Sequence, residues 1–297
     1  MKLHTILVAS LVGVGLAVSS HAVPPIPDNY KIGGFAIGCQ AWSFNRYTVF
    51  EAIEKTAQTG AKVIEFYPGQ RLSPEHPEIR FDHNVSDDVI AMVKAQLKKY
   101  GIRPVAYGVV GIPKDEAQAR KVFEFAKKLG IHTITTESVE SIDTIEKLVK
   151  EYDICVGYHN HPRRPNNPNY KNWDPRFIAN LVKGRDRRIG AVADTGHWLR
   201  SGLDPLECLR ILRGRIVGMH LKDLNRKGPG AHDVPYGTGV GHIKKILDEL
   251  RAQGFDGPIS VEYEYHWTSN VPEIAQCIGF VRGYGAVIQD LQKKKDK

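Results

Sequence analysis

Cysteine motifs and long apolar runs are both scarce in this sequence. The chain has four cysteines and none of them forms a C-x-x-C pair, which excludes the usual zinc and dithiol redox motifs. They lie in apolar strand and helix patterns, so we expect buried free thiols. A disulfide is the alternative, and it would require an oxidising compartment. Beyond residue 22, no apolar stretch approaches the roughly 20 residues that a membrane span requires. We therefore expect no membrane association after that point.

The one long apolar run lies at the N-terminus. Residues 5–18 follow Lys2 and precede Ser20-His21-Ala22, which offers a small-x-small cleavage site. This three-part layout is typical of a secretory signal peptide, and the run is short for a membrane anchor. We therefore predict that residues 1–22 are a signal peptide and that residues 23–297 form a secreted or periplasmic protein.

Basic residues exceed acidic ones and give a formal net charge of +8. Such a balance can attract nucleic acid or anionic surfaces. Much of the excess sits in the tail at 293–297, and the other basic residues are scattered without interleaved aromatic residues. A nucleic-acid face would cluster basic and aromatic residues on one surface, so we expect no nucleic-acid partner.

The remaining sequence alternates eight times between a short β-type run and a helical pattern. The predicted strands are 35–41, 63–67, 103–110, 132–136, 154–159, 189–194, 216–221 and 259–264. The predicted helices are 48–59, 87–100, 115–129, 142–151, 175–182, 205–212, 242–252 and 271–289. Eight even units predict an α/β fold, a single-domain (β/α)8 barrel. An open doubly wound sheet is the alternative, but no G-x-G-x-x-G follows the first strand.

Polar residues gather where the later strands should end, which is the face on which such barrels place their active sites. Residues two apart in a strand share a face, so each strand can present a pair of polar side chains to the barrel mouth. The residues at these ends are Glu137, His159, His161, Asp194, His197, His220, Lys222, Glu262 and Glu264.

Carboxylates and imidazoles that converge from separate strands form a site for one divalent ion. Two or three carboxylates with a histidine suit Mn2+, Mg2+, Co2+ or Zn2+, and the pattern does not choose among them. The alternative is that hydrogen bonds and salt bridges satisfy each group separately. The number of such groups at one end of one barrel favours the metal site.

At these residues the chain resembles the xylose-isomerase-like superfamily of sugar isomerases and epimerases. The resemblance covers about residues 34–288. The motifs that carry it are GYHNH at 157–161, DTGHW at 194–198, GMHLKD at 218–223, GTG at 237–239 and VEYE at 261–264. The resemblance implies a barrel enzyme that binds a metal ion and a carbohydrate.

The family pattern carries over residue by residue. It implies that Asp194, His220 and Glu262 bind the metal, and that His197, three residues after the aspartate, binds substrate. It also implies a substrate-binding role for Arg226, six residues after the metal histidine.

The fifth strand departs from that pattern. The epimerases have a glutamate there that binds metal and moves a proton, whereas this chain has His159. Glu137, at the end of the fourth strand, is therefore expected as the fourth ligand, with His159 as the rival. Because the unperturbed pKa of histidine is about 6.5, His159 is also a competent acid or base.

Other residues complete the predicted site. We expect His159, His161, Lys222 and Glu262 to act in catalysis. Trp42 follows the first strand and is a candidate for stacking on a sugar face, although tryptophans at such positions are as often simply packed. Glu264 is a candidate substrate-binding residue, along with His197 and Arg226.

Three functions remain open at this stage. The first is a sugar isomerase or epimerase that transfers a proton next to the sugar carbonyl. The second is a keto-sugar lyase or hydratase acting on a 3-keto-glycoside or an inosose-type substrate, which the histidine at position 159 favours. The third is a periplasmic sugar-binding protein without catalysis, although Lys222, His161 and His197 are more polar groups than capture requires.

The endonuclease branch of the superfamily is excluded on its ligands. That branch binds several zinc ions and needs further histidines on the second and third strands. Here the ends of those strands read EFYP at 65–68 and AYGVV at 106–110, without a histidine.

Overall fold

A computed structural model describes residues 23–295 of the chain. The predicted signal peptide lies outside the described residues. Eight strands form the central sheet: β1 (Ala36–Gln40), β2 (Val63–Phe66), β3 (Arg103–Tyr107), β4 (Thr133–Thr136), β5 (Cys155–His159), β6 (Ile189–Asp194), β7 (Ile216–Leu221) and β8 (Pro258–Val261). Each is parallel to its neighbours in sequence, and β1 pairs with β8 to close the barrel. The predicted (β/α)8 fold is confirmed.

Nine helices are described within residues 23–295, and most of them surround the barrel. They are α1 (Val49–Gln58), α2 (Asp87–Tyr100), α3 (Glu116–Leu129), α4 (Ile142–Tyr152), α5 (Pro175–Leu181), α6 (Thr195–Arg200), α7 (Pro205–Ile211), α8 (Ile243–Ala252) and α9 (Val271–Lys295). Local chemistry sets several of their ends. Thr48 and Glu51 form a capping box at the start of α1, and Gly130 ends α3 in the left-handed conformation.

Three features differ from the sequence expectation. Helix α6 begins at Thr195, directly from β6, and its six residues are too few for a helical periodicity to show. Helix α9 continues to Lys295 rather than ending at 289. After β7, Asp223–Leu224 pairs with Asp233–Val234 in a short antiparallel ribbon.

The interior is apolar and closely packed. Within residues 23–295 all four cysteines are buried and free, as predicted. Among these residues, no helix combines the length and the apolar character that crossing a bilayer would require.

Glycine permits one close approach between strands. A Cβ added to Gly38 in β1 would lie 1.8 Å from the carbonyl oxygen of Val63 in β2, an atom that is fixed by the sheet. Gly279, on the exposed side of α9, has no atom within 4 Å of the same added carbon. The two glycines therefore form a matched pair for a test of barrel packing.

We predict that Gly38→Ala lowers the free energy of unfolding by about 3 kcal/mol, because the barrel must distort to admit one methyl group. Gly279→Ala should stabilise by up to about 1 kcal/mol, because alanine is the better helix former. Urea denaturation followed by circular dichroism gives both values. Equal midpoints for the two variants would show that the strands are not packed as described.

Candidate metal centre and active site

Four strands bring one buried group of potential ligands together. His159 ends β5, Asp194 ends β6, His220 lies near the end of β7, and Glu262 directly follows β8. One ligand atom from each of these residues lies within 4.8 Å of the other three. We call these four residues the ligand group. Since parallel strands in a closed barrel end at one rim, side chains distant in sequence meet here.

Two imidazole nitrogens of the ligand group are buried and have no hydrogen-bond partner: His159 Nε2 and His220 Nδ1. Asp194 Oδ2 lies 3.6 Å from His159 Nε2 and 3.9 Å from His220 Nδ1. His220 Nδ1 lies 3.3 Å from Glu262 Oε2. Buried polar atoms are nearly always paired, so two unpaired nitrogens that face two carboxylates fit a cation that all four groups would share.

Each imidazole of the ligand group has a carboxylate on its outer nitrogen. Glu65 Oε2 lies 3.0 Å from His220 Nε2, and Glu137 Oε1 lies 3.3 Å from His159 Nδ1. An ionised carboxylate only accepts, so the outer nitrogens carry protons and the inner nitrogens are free in the neutral rings. This is the arrangement that orients metal-binding histidines and raises their basicity.

Glu137 was the fourth ligand expected from the sequence. In the structure it lies outside the ligand group. Its carboxylate accepts from His161 Nδ1 at 2.5 Å, from the hydroxyl of Tyr170 at 2.8 Å and from His159. Burial raises the pKa of Glu137, but the hydrogen bonds from the two histidines lower it more, so this carboxyl group is ionised. The structure thus puts His159 between Glu137 and the ligand group. The reason is reach, because β5 is adjacent to β6 and β4 is one strand further away.

The two carboxylate oxygens of Asp194 have different partners, one in helix α6 and the other in the ligand group. Oδ1 accepts from the backbone N–H of His197 at 2.7 Å and so caps α6. Asn160 pairs with the backbone of Asp194 in both directions, at 2.9 and 3.0 Å. These contacts fix the residue and leave Oδ2 directed into the ligand group.

Lys222 is fully buried beside the ligand group. Its ammonium lies 2.9 Å from Asp194 Oδ2, 2.6 Å from Glu262 Oε2 and 2.8 Å from Glu264 Oε2. Burial lowers the pKa of Lys222, but the three carboxylates raise it well above the ordinary value, so the side chain stays charged. Lys222 therefore ties Glu264 to two members of the ligand group.

Arg200 is a site residue that the sequence analysis missed. It extends from α6 and donates to Glu264 Oε2 at 2.8 Å, to His197 Nδ1 at 3.1 Å and to Asp233 Oδ2 at 3.0 Å. Because a guanidinium only donates, Nδ1 of His197 is an acceptor and the ring proton of neutral His197 sits on Nε2. The signal for Arg200 was its position three residues after His197 in a helix, which places both on one face.

His197 is held as a neutral donor. Burial lowers its pKa, and although Asp194 opposes the shift, the nearby Lys222 charge adds to it, so the net pKa lies well below the ordinary value. Burial also raises the pKa of Asp233 to about 7, against the effect of Lys222 and Arg200. The structure thus places His197 at the site, as predicted, and adds Asp233 from the ribbon after β7.

Arg226 lies away from the site. Its guanidinium donates to the carbonyl oxygens of Lys227 and Pro229, within its own exposed loop. The ribbon formed by Asp223–Leu224 and Asp233–Val234 carries this loop outward while bringing Asp233 inward. The spacing of six residues after His220 therefore did not predict that Arg226 lies away from the site and that Asp233 lies at it.

Carboxyl groups outnumber permanent cations at this end of the barrel. Among the described residues, the cations paired with these carboxyl groups are Lys222 and Arg200. The remaining negative charge needs protons on the imidazoles or a bound cation. Indeed, although burial lowers the pKa of His220, Glu65 and Glu262 raise it well above the ordinary value. The carboxyl groups are Glu65, Glu137, Asp194, Asp233, Glu262 and Glu264.

An open cavity of about 300 Å³ leads to the ligand group. Its polar part is lined by His161, Glu262 and Glu264, and its outer wall by Trp42 and Tyr67. His161 and Glu262 therefore face one space, although they come from opposite sides of the ligand group. The cavity is large enough for a small molecule to reach both.

The barrel agrees with comparisons to known proteins. The family model described as xylose isomerase-like TIM barrel matches residues 53–283. The chain belongs to this family. No curated protein matches the sequence.

Solved structures of other proteins are similar to this chain in fold. A crystal structure of an uncharacterised protein from Parabacteroides distasonis is 34% identical, with a TM-score of 0.67, and the match covers 84% of this chain and 99% of that one. A D-tagatose 3-epimerase-like protein is 17% identical over 86% and 98% of the two chains, with a TM-score of 0.66. A xylose isomerase-like barrel from Mycobacterium smegmatis, solved in complex with magnesium, is 13% identical over 84% and 96%, with a TM-score of 0.64. The last two identities support the fold alone.

We predict that Glu65→Gln weakens metal binding by roughly 10- to 100-fold, because the outer nitrogen of His220 loses its charged acceptor. His220→Ala should abolish binding. Calorimetric titration with Mn2+ and elemental analysis of the purified variants measure both effects. Glu78→Gln is the control, since that side chain is exposed and lies 3.6 Å from a surface histidine, His76. Wild-type metal content in His220→Ala would mean that the ion binds elsewhere.

Proposed function

We propose that this protein is a metal-dependent sugar isomerase or epimerase that moves a proton next to a sugar carbonyl. The observation that carries the proposal is the pairing of two proton-transfer groups, Glu262 and His161, on one cavity above the ligand group. Moving a proton to a new face or carbon requires one group to remove it and another to return it.

His159, Asp194, His220 and Glu262 would hold the ion. Bound there, a divalent cation would supply stabilisation of the negative charge that develops on the substrate oxygens. Two imidazoles beside two carboxylates suit a transition metal such as Mn2+, Co2+ or Zn2+ better than Mg2+, which prefers oxygen ligands.

Glu262 is the better placed base. Burial raises its pKa, but Lys222 and His220 lower it well below the ordinary value, so its carboxylate is ionised. The ammonium of Lys222 lies 2.6 Å from Glu262 Oε2 and restricts the movement of that carboxylate. A proton on the carbon next to the substrate carbonyl would pass to Glu262.

His161 is the matching group on the other side. Glu137 holds Nδ1 of His161 at 2.5 Å, and the hydroxyl of Tyr170 holds its backbone N–H at 2.7 Å. The side chain is 38% exposed, so Nε2 is open to the cavity. This carboxylate–imidazole pair can return a proton to the substrate, while the Nε2–H of His197 offers a hydrogen bond to a substrate oxygen.

A second function, keto-sugar lyase or hydratase, is supported by one specific observation. The second proton-transfer group is an imidazole backed by a carboxylate, rather than a carboxylate of the ligand group. An imidazolium readily gives its proton to a departing oxygen. If the sugar carries a leaving group beside the carbon that Glu262 deprotonates, the same residues would eliminate it.

Proton exchange in D2O tests the proposal. Metal-loaded protein is incubated with free ketoses and with 3-keto-glycosides, and NMR follows both deuterium incorporation and products. Interconversion of free ketoses, or epimerisation of a 3-keto-glycoside with its glycosidic bond intact, supports the isomerase or epimerase, whereas loss of the glycosidic group supports the lyase. Binding of a sugar without any exchange would contradict both and leave a binding protein.

We predict that His161→Gln lowers turnover by about 10²- to 10⁴-fold, because a neutral amide cannot exchange the proton. Its metal content should stay at the wild-type level, since His161 is not in the ligand group. The control is His76→Gln at an exposed histidine. Unchanged turnover in His161→Gln would remove this residue from the mechanism.

We also propose that the protein is secreted, on the evidence of residues 1–22 in the sequence. Intact mass spectrometry of protein from the native cell should give an N-terminus near Val23. Full-length chain in the soluble cytoplasm would refute this.

A further inference from the structure

Trp42 is an exposed aromatic side chain with a fixed orientation. It lies in the 3-10 turn Ala41–Phe44 that directly follows β1 and is 40% exposed. Its backbone N–H donates to Gln40 Oε1 at 2.8 Å. Its ring meets Tyr67 edge-on at 5.1 Å and Trp267 at 6.5 Å, with interplanar angles of 87° and 85°. The ring is therefore held in place while a large part of it stays open to solvent.

A single exposed apolar side chain is common at a protein surface, so the exposure of Trp42 matters through the position of the ring. Among the described residues, the other exposed large hydrophobic side chains are Val287 and Leu291, both on the terminal helix, and Tyr265. Tyr265 already stacks on His232 at 4.4 Å. Trp42 is thus the exposed aromatic ring that also lines the cavity above the ligand group.

The cavity changes character along its length. Its inner part has the carboxylates of Glu262 and Glu264 with His161, and its outer part has Trp42, Tyr67 and Pro68. No lysine or arginine is among its lining residues. The charges of Arg71 and Arg80 reach Tyr67 from outside this lining, but a phosphate on the wall itself would meet no lysine or arginine among the lining residues. The outer wall therefore suits a neutral, ring-shaped group.

Taking the proposed function as given, we infer that the substrate is an unphosphorylated glycoside. Its keto-sugar ring binds at the inner part of the cavity, and its second ring, a sugar or an aromatic aglycone, stacks on Trp42. Both kinds of ring present a flat apolar face that an indole can cover. This residue then selects glycosides over free monosaccharides.

A matched pair of ligands tests the inference. Methyl and 4-nitrophenyl 3-keto-β-D-glucopyranosides share the keto-sugar ring and differ in the second group. Their dissociation constants are measured by calorimetry in a His161→Gln background, which suppresses turnover during the titration. We expect the nitrophenyl compound to bind about tenfold more tightly, since a well-stacked aromatic pair contributes up to about 1.4 kcal/mol, which is tenfold in affinity.

The Trp42 variants then locate the effect. Trp42→Ala should remove the tenfold preference and leave the affinity for the methyl compound within about twofold, whereas Trp42→Phe should keep most of the preference. Tyr265→Ala, outside the cavity, should behave as the parent. Equal affinities for the two compounds in the parent, or an equal loss of both in Trp42→Ala, would overturn the inference. A persistent preference without deuterium exchange in the active protein would instead overturn the proposed function alone.

Discussion

The carboxylate of Glu65 inside the barrel is the contact on which the site depends. It accepts from Thr135 Oγ1 at 2.8 Å, from Ser260 Oγ and from His220 Nε2, so a single side chain of β2 connects to β4, β7 and β8. A buried carboxylate is costly unless hydrogen bonds satisfy it. Here the bonds that satisfy Glu65 also fix the ring of His220, and the free nitrogen of that ring then points into the ligand group.

The same logic applies at His159, where Glu137 takes the place of Glu65. With a carboxylate on the outer nitrogen of each ring, the inner nitrogens of His159 and His220 face two further carboxylates. Lys222 and Arg200 hold the acidic groups on the other side. Since the surrounding charge is negative even with both cations present, the centre of the site attracts either protons or a metal ion, and metal binding would release protons from the imidazoles.

Much of this could be predicted from sequence, for reasons that are physical. Eight apolar runs alternating with helical patterns are a strong signal for the barrel, and parallel strands bring their carboxyl ends to one rim. The convergence of Asp194, His220 and Glu262 follows from that rule alone. Their role as ligands follows only from the family resemblance and remains a proposal.

Contacts across the barrel could not be predicted. Glu65 was recognised only as part of a strand end without histidine, although a carboxylate within the apolar run VIEF is itself unusual, because buried glutamates are rare without a partner. The fourth member of the ligand group depended on whether the side chain of Glu137 reaches past His159, which strand order alone does not decide. The choice between Arg200 and Arg226 depended on a six-residue helix and on a ribbon of two-residue strands, which are both too short to show a periodicity in the sequence.

The histidine at the end of β5 changes the way in which this barrel can divide its acid–base work. Where both proton-transfer groups are metal-bound carboxylates, their separation is fixed by the ion. Here Glu137 lies on the outer side of His159 and accepts a hydrogen bond from His161. The proposed second proton-transfer group, His161, is therefore outside the ligand group. That group is an imidazole with an open nitrogen on the cavity, next to the wall that carries Trp42. A proton donor in that position lies between the reacting sugar and whatever is attached to it. The geometry therefore relates the reaction type to the substrate: with a free ketose the imidazole can return a proton to carbon, and with a glycoside it can protonate the departing oxygen.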